Sequence, residues 1–411
     1  MPHVYDVIII GGGASGLAAA VYLKKKKPEF TVRLIEALPR VGKKLSLTGN
    51  GRCNITNKNI NLSRYHGENV EFAEYALSEY DRFFCQEFFE EIGVPFVFEE
   101  DKAFPASFQA ASVVDCLRFA ADESGVITHL ETKVTNIQTS GENYKVIAGN
   151  LNFLTRNIIV ATGLYSGGER LGCDGIMLSI LKKAGYRVVK TSPSIVQVKT
   201  ETDIVKQLKG IKVNANATLK VSGKNFRSEY GEVLFCDYGL SGPPVMQISR
   251  QIGRNDEPCQ ISLDLSPDTD FGDLLNSLLK RQKILNNRTL DEFFTGFLNK
   301  RLGQVILKLA DCKLSDTAET LNEAKLKKIT SLLKNFSFSV TGTTGFSNSQ
   351  ATAGGLDTKQ FNNKTMCAKN AKGFYAIGEI LDIDGDCGGF NLQWAWSSAF
   401  CAADAIIGVE K

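Results

Sequence analysis

The sequence predicts an α/β protein. It reads as a Rossmann-like, doubly wound sheet interrupted by an inserted domain, part antiparallel β-barrel-like and part helical. Three observations predict it. Near the N-terminus a strand, Tyr5-Asp6-Val7-Ile8-Ile9-Ile10, runs into the turn Gly11-Gly12-Gly13-Ala14-Ser15-Gly16 and then a helix. After about Thr191 the composition changes to alternating apolar and polar residues. Past residue 340 the chain returns to strand, glycine, acid and helix features.

The opening unit is βαβ. Gly11 suits a tight turn, Gly13 lets backbone approach a diphosphate, and Gly16 lets the helix pack close to the strand. The helix, Leu17 to Lys27, faces an anion with free N–H groups and a partial positive charge. Its end, Lys24-Lys25-Lys26-Lys27, complements the helix dipole, and Pro28 stops it. A second strand, Val32-Arg33-Leu34-Ile35, ends at Glu36, twenty residues past Gly16. An acid at that distance accepts hydrogen bonds from a ribose 2′-OH, so the unit predicts a bound FAD or NAD adenosine. A polar, basic, glycine-rich loop follows, from Arg40 to Asn57.

Residues 68 to 93 read as one helix, with Phe72, Tyr75, Ala76, Tyr80, Phe83 and Phe84 near helical spacing and read as core. Short strands are expected around Pro95 to Glu99, then a helix over Ser112 to Ser124. Strands follow over Val126 to Val134 and Tyr144 to Ala148. Arg156 to Gly163 reads as a buried parallel strand that places Thr162-Gly163 at the sheet's carboxyl edge, where ligands bind.

In the insert, segments 195–200, 211–222, 231–236 and 259–265 alternate as antiparallel strands do. Gly239-Leu240-Ser241-Gly242-Pro243-Pro244 begins a short helix, with Ser241 as its expected cap. Phe271 to Phe336 reads as helical. The expected division is 1–190 for the first part of the nucleotide domain, 191–340 for the insert (β-rich 191–270, helical 271–340), and 341–411 for the second part. In that second part Phe374 to Ile377 is a strand ended by Gly378-Glu379. Asp384 to Asn391 then leads into a helix, Leu392 to Ile407. A helix N-terminus entered through glycines suits a phosphate or a flavin carbonyl.

Bulk properties fit a globular enzyme. The chain has 411 residues, 43% hydrophobic and 23% charged, enough for two or three domains. The net charge of +3 is too small to predict a nucleic-acid or membrane partner. No apolar run is long enough to span a bilayer. The first strand begins at once and carries Asp6, unlike a signal peptide. The ten cysteines show no CxxC pair, so they read as reduced thiols in a cytoplasmic protein. His3, His66 and His129 lie far apart and read as surface or satisfied structural residues, and no metal site is expected.

The GxGxxG turn with its acid, the Ala161-Thr162-Gly163 strand end and the C-terminal glycine–helix element resemble the two-dinucleotide-binding FAD fold. Two longer stretches narrow the resemblance. Gly42-Lys43-Lys44 through Gly49-Asn50-Gly51-Arg52-Cys53-Asn54, with Gly388-Gly389-Phe390-Asn391-Leu392-Gln393-Trp394-Ala395-Trp396-Ser397-Ser398, are similar to the BaiN-like family of bacterial NAD(P)/FAD-dependent oxidoreductases. The similarity covers nearly the whole chain. It implies a Rossmann-like FAD-binding fold, non-covalent FAD and NAD(P)H as a transient hydride donor. One branch of the family is associated with reducing conjugated double bonds in steroid-type enones. The chain departs from the family at Gly163-Leu164-Tyr165 and Cys173-Asp174-Gly175, which puts local contacts near the flavin or substrate in question.

By the resemblance and by position, Gly11, Gly13, Ala14, Ser15 and Gly16 hold the diphosphate. Glu36 and Ala37, with Val134, take the adenosine. Lys43, Lys44, Asn50, Gly51, Arg52, Cys53 and Asn54 pass near phosphate or flavin, as do Thr162, Gly163 and Gly378. Glu379 holds the ribityl chain, and Gly389, Phe390 and Asn391 the isoalloxazine carbonyl end. The reaction expected is hydride transfer from NAD(P)H through flavin to an electrophilic, enone-like small molecule. No residue identifies itself as the proton donor; Arg52, Tyr238 and Cys387 are the candidates.

Two rivals stay open. A disulfide reductase needs two redox cysteines close after the ribose-binding acid, and here Cys53 stands alone, with Cys387 as a partner through space. Alternatively the protein binds FAD for a structural, sensing or nucleic-acid-related role through the insert. The insert's Lys206, Lys209, Lys212, Lys220, Lys224 and Arg227 read as a solvated face, with too little aromatic interleaving for single-stranded nucleic acid. The preferred nicotinamide and the oligomeric state are not read from the sequence.

Overall fold

The computed structural model describes residues 3–254 and 257–408. The chain divides into two compact units: residues up to Ser194 together with those from Phe346 onward, and Ile195–Gly345 between them.

The first unit is built on a seven-stranded sheet. Ile127–His129, Val32–Ile35, Val4–Ile10 and Leu151–Val160 lie side by side and parallel. Phe374–Ala376 joins Leu151–Val160 in parallel, beyond the stretch of that strand that pairs with Asn143–Ala148. Asn143–Ala148 and Asn136–Ser140 extend the sheet antiparallel. Strands sheathed on both faces are continuously apolar, as Val7 to Ile10 and Ile158 to Val160 are.

Register places four strand ends together: Ile10 beside Ile35 and Val160, and Val160 beside Ala376. Backbone bonds carry the alignment past those ends. The Gly11 N–H donates to Ile35 O, Ala161 N–H to Ile10 O, Ile377 N–H to Val160 O and Glu36 N–H to His129 O. Each expected ligand-binding turn therefore leaves the same carboxyl edge, where open α/β sheets bind ligands.

Ala14–Lys26 and Phe390–Ile407, the first and last helices of the unit, pack on each other. Tyr22 meets Phe400, with ring centroids 5.0 Å apart. The single helix expected over 68–93 is broken. A helix spans Glu74–Glu79, and Asp81 then caps a second, Arg82–Glu91, by accepting from the Phe83 and Phe84 N–H groups. A capping carboxylate outweighs continuous apolar spacing, and it leaves Phe83 exposed rather than in the core. The strand expected over 126–134 covers only Ile127–His129.

The second unit holds a closed, six-stranded antiparallel barrel. In order around it run Val198–Thr200, Gly239–Ser241, Lys224–Phe235, Lys212–Val221, Cys259–Asp264 and Phe336–Thr343. The last of these lies where helix was expected to end, yet Phe336, Phe338 and Val340 alternate as a strand requires. Gly239–Ser241 is a strand rather than a helix start. The following helix, Pro243–Ile248, is entered through Gly242 at φ +102°, so Ser241 is not its cap. A Cβ at Gly242 would stand 2.2 Å from Glu232 O. Ala217, Leu219, Leu263, Phe235 and Phe336 fill one core continuous with the helices Phe271–Ile284, Lys300–Leu309 and Glu323–Lys334. Phe293 and Phe294, expected in helix, lie in turns yet are buried.

Candidate functional site

The first turn shows three glycines with three different surroundings. Gly11 sits at φ +105°, where a Cβ would lie 2.6 Å from Ala161 O. A Cβ on Gly16 would stand 1.9 Å from Gly11 O. Both positions are closed by backbone. At Gly13 a Cβ would meet nothing within 4 Å. Gly13 is the N-cap of Ala14–Lys26, which has no side-chain cap and no acid in its first turn. The first-turn N–H groups of Ala14, Ser15 and Gly16 thus lack helical acceptors, and with the open space at Gly13 they offer the polarity a diphosphate requires.

Glu36 lies beside it. Its Oε2 accepts from the Gly12 N–H at 2.7 Å and its Oε1 from the Leu38 N–H at 2.8 Å. Burial raises its pKa, against backbone hydrogen bonds that lower it. A carboxylate retains further lone pairs for hydroxyl donors. Glu36 and Ala37 line an open pocket together with Val134, Thr162 and Gly163. The Lys133–Asp174 ion pair, 2.6 Å, includes two more lining residues. The sequence reading did not single out Lys133. The family departures meet here: the Tyr165 ring lies against Gly175, where a Cβ would be 2.1 Å from Cε1.

The Gly42 N–H donates to Gly12 O at 2.7 Å, which ties the basic loop to the first turn. Lys43 is half-buried with no side-chain partner. Lys44 reaches across 335 residues to Glu379, Nζ to Oε2 2.7 Å. Glu379 Oε1 accepts from Ser166 Oγ at 2.6 Å and from the Thr352 N–H at 2.9 Å. Thr352 Oγ1 in turn accepts from the Tyr165 and Ser166 N–H groups. Burial, the largest influence, would lower the Lys44 pKa, but the Glu379 charge, Cys173 and the hydrogen bond to Glu379 together outweigh it and the net direction is up. A Cβ on Gly163 would lie 3.1 Å from Glu379 Oε2, and one on Gly378 would lie 2.8 Å from Ser15 Oγ. Ser166 and Thr352 were missed by the sequence reading; the small-residue run from Thr352 to Gly355 was the available signal.

The loop at 49–54 is contorted. Gly49, Asn50, Gly51 and Cys53 all take positive φ, a cost of about 1–3 kcal/mol for a strained non-glycine residue that surrounding structure must offset. Asn50 and Gly51 are exposed, and Cys53 is buried with its thiol pushed up to about 12 by burial. Asn54 Oδ1 is buried and has no hydrogen-bond partner. It faces the start of the C-terminal helix: a Cβ on Gly389 would stand 2.9 Å from it and 2.6 Å from Thr56 O. Phe390–Ile407 has Gly389 as N-cap at φ +99°, again without a side-chain cap or first-turn acid. An unpartnered acceptor beside unspent N–H donors matches one edge of a flavin pyrimidine ring, whose N–H lies between two carbonyls. The residues present therefore fit FAD at both ends.

Three expected residues are occupied otherwise. Arg52 pairs with Glu99 at 2.6 Å and lies over the Phe104 and Phe108 rings. Asn391 turns back, its Oδ1 accepting from the Gly385 N–H and its Nδ2 donating to Gly385 O. The buried Phe390 ring meets Tyr65 edge-on, and Phe390 O accepts from Tyr65 Oη. Tyr238 belongs to the second unit, where burial, with Cys236 beside it, raises its pKa. Cys387 is exposed, and neither Cys53 nor Cys387 is part of a disulfide. His66 is paired with buried Asp386, Nε2 to Oδ1 2.8 Å, three residues before Gly389. Buried His129 Nε2 has no partner, and burial, then Arg33, lowers its pKa. No metal-binding cluster occurs among the described residues, and no helix there is long and apolar enough to cross a membrane.

Comparison with known proteins follows the same lines. The family described as HI0933-like protein Rossmann domain matches residues 5–405. The chain is 30% identical over 97% of its length, and 98% of the relative's, to the "3-dehydro-bile acid delta(4,6)-reductase" of Clostridium scindens. It is 29% identical over 99% of both chains to the "Ribosomal RNA dihydrouridine synthase" of Haemophilus influenzae. Among solved structures it is similar to an E. coli quinol fumarate reductase chain, with a TM-score of 0.52 and 15% identity over 99% of this chain and 71% of that one. That likeness speaks to the fold alone.

Proposed function

This chain belongs to the HI0933-like Rossmann-domain family of FAD-dependent oxidoreductases, and on that premise we propose that it saturates a carbon–carbon double bond conjugated to a carbonyl, with NAD(P)H as hydride donor. The observation that carries the reading is the orphaned Asn54 Oδ1 set against the uncapped helix start at Gly389. Bound FAD would supply the two-electron chemistry. The chain's own groups bind and polarise. The N–H groups from Ala14 to Gly16 hold the diphosphate. Asn54 Oδ1 takes a ring N–H. The helix N-terminus at Gly389 sets partial positive charge against a ring carbonyl, which favours added electron density there.

The names of the two relatives support this bond change. A 3-keto group conjugated to a Δ4 bond, and the uridine C5–C6 bond conjugated to its C4 carbonyl, are the same kind of electrophile. In each, hydride goes to the β-carbon and a proton to the α-carbon, with NAD(P)H oxidised to NAD(P)⁺. His66, held by Asp386, is the residue to test as proton source.

The experiment is anaerobic. The yellow holoprotein is mixed with NADH or NADPH and bleaching of the flavin band is followed by stopped flow. Rapid bleaching by one nicotinamide, then reoxidation by a 3-keto-Δ4 steroid or a uridine-containing RNA, is expected. Bleaching by dithionite but by neither nicotinamide overturns the scheme.

A further inference from the structure

We infer that the outer face of the hairpin formed by Lys212–Val221 and Lys224–Phe235 binds single-stranded RNA, with Phe226 and Tyr230 stacking on bases. The inference deepens the proposed function, since it rests on the reduced double bond being that of a pyrimidine carried on RNA.

Strand alternation decides the geometry. From Arg227 to Phe235 the even-numbered residues face outward, while Val233 and Phe235 fill the barrel; the register shifts between Leu219 and Lys220, which leaves Phe226 unpaired in a bulge. Phe226 is 57% exposed and Tyr230 62% exposed. In linear sequence they look like sparse aromatics. On the strand both are solvent-exposed, Tyr230 on the outward face and Phe226 at the bulge, four residues or at most about 13 Å apart along the strand, far enough to take separate bases. Neither ring stacks on another ring, and the Tyr230 hydroxyl has no hydrogen-bond partner. Single exposed aromatics are ordinary on a protein surface. Two solvent-facing rings along one strand, without ring partners, form a stacking platform of the kind single strands use.

The surroundings match a nucleic-acid strand. Across the ladder, Asn214 stands opposite Glu232, Asn216 opposite Tyr230 and Thr218 opposite Ser228, the last pair sharing a 2.7 Å hydroxyl bond. This lane is polar and made of groups that pair with base edges and sugars. Lys220 spends its ammonium on a neutral partner, Asn335 Oδ1, and Lys224 has no partner among the described residues. Their charge is free to meet phosphate. Of the nearby carboxylates among the described residues, Glu232 pairs with Lys212, Glu229 with Arg227 and Asp264 with Lys334, while Glu257 keeps its charge and accepts from the Ser222 hydroxyl. An apolar protein partner would leave two desolvated ammonium groups, whereas a polyanion with stacking faces satisfies rings and charges together.

The test uses holoprotein and a fluorescently labelled, uridine-containing 12-nucleotide RNA, read by anisotropy. The Phe226→Ala/Tyr230→Ala double variant should weaken binding about tenfold or more, the scale of base–aromatic stacking. Lys224→Gln should weaken it a few-fold and lower the salt slope by about 0.7, the single-strand value for one phosphate contact. Both side chains are exposed, so flavin content and melting temperature should be unchanged. Equal binding by the double variant overturns the inference. So does absence of binding by the wild type, or loss of self-association in the double variant, which would make a second copy of the chain the occupant. Nicotinamide reduction of the flavin, measured on the same samples, reports separately on the reductase reading.

Discussion

Gly13 and Gly16 stand three residues apart in one turn, and replacing each with alanine should give opposite failures. At Gly16 the added Cβ would lie 1.9 Å from Gly11 O. Ordinary contact needs well over 3 Å, so helix and strand must separate by more than 1 Å in a buried seam. Overpacking of this kind costs about 1–3 kcal/mol or more, and Gly16→Ala should destabilise the apoprotein by at least that much. At Gly13 the Cβ meets nothing within 4 Å and φ is −82°. The apoprotein should lose only the small N-cap preference of glycine over alanine, about 0.5 kcal/mol. The methyl would instead occupy the diphosphate cradle. Displacing even one or two charge-assisted hydrogen bonds there costs on the order of 3 kcal/mol, roughly a hundredfold in Kd. Denaturant unfolding of the apoproteins and FAD titration by flavin fluorescence measure the two effects. A Gly13→Ala variant that binds FAD as tightly as the wild type would refute placement of the diphosphate at this turn. A Gly13→Ala variant that fails to fold would refute the geometric distinction itself.

Three further outcomes follow from the site. Lys44→Met should cost about 2 kcal/mol, below the 3–5 kcal/mol of a fully buried pair, because the side chains are 29% and 18% exposed. The Lys44 pKa is raised in the fold, so its contribution is complete below the unfolded lysine value of about 10.4 and fades as pH rises through the folded one. The wild-type-to-variant gap in unfolding free energy should therefore hold from pH 7 to 10 and shrink above; a gap that widens there would contradict the pairing. Asn54→Leu should leave apoprotein stability unchanged or improved, because it removes a buried oxygen without a partner, worth about 1–3 kcal/mol. FAD affinity should nonetheless fall about tenfold, and parallel losses of stability and affinity would show a structural role only. Native Cys53 should resist thiol reagents while exposed Cys387 labels quickly, and a Cys53→Ala/Cys387→Ala variant should still accept electrons from the nicotinamide; loss of that step would revive the redox-pair reading.

Several elements were legible because their signals are local. The opening strand, the glycine turn and Glu36 occupy one short span, and a fixed glycine order has few backbone solutions. The Thr162-Gly163 edge position and the glycine entry to the C-terminal helix were readable in the same way. The errors lie where a local signal met a competing one. Asp81 capped a helix that apolar spacing would have continued, and Phe336 to Val340 alternated as a strand just where a long helical reading was running out. Other features have no local signal. Lys44 and Glu379 are 335 residues apart, and only sheet register, which aligns the ends of strands from both parts of the first unit, brings them within a hydrogen bond. Asn54 became conspicuous as a buried oxygen without a partner, a property of its surroundings and not of its residue type. Phe226 and Tyr230 became conspicuous only as two exposed rings on one strand of the barrel hairpin. By itself the sequence determined the fold family, the flavoprotein class and the glycine turns at the sheet's carboxyl edge, since backbone geometry at glycine and apolar periodicity are short-range. The tertiary structure decided which polar groups are spent on each other and which remain open, because satisfaction of a buried group depends on neighbours far away in the chain.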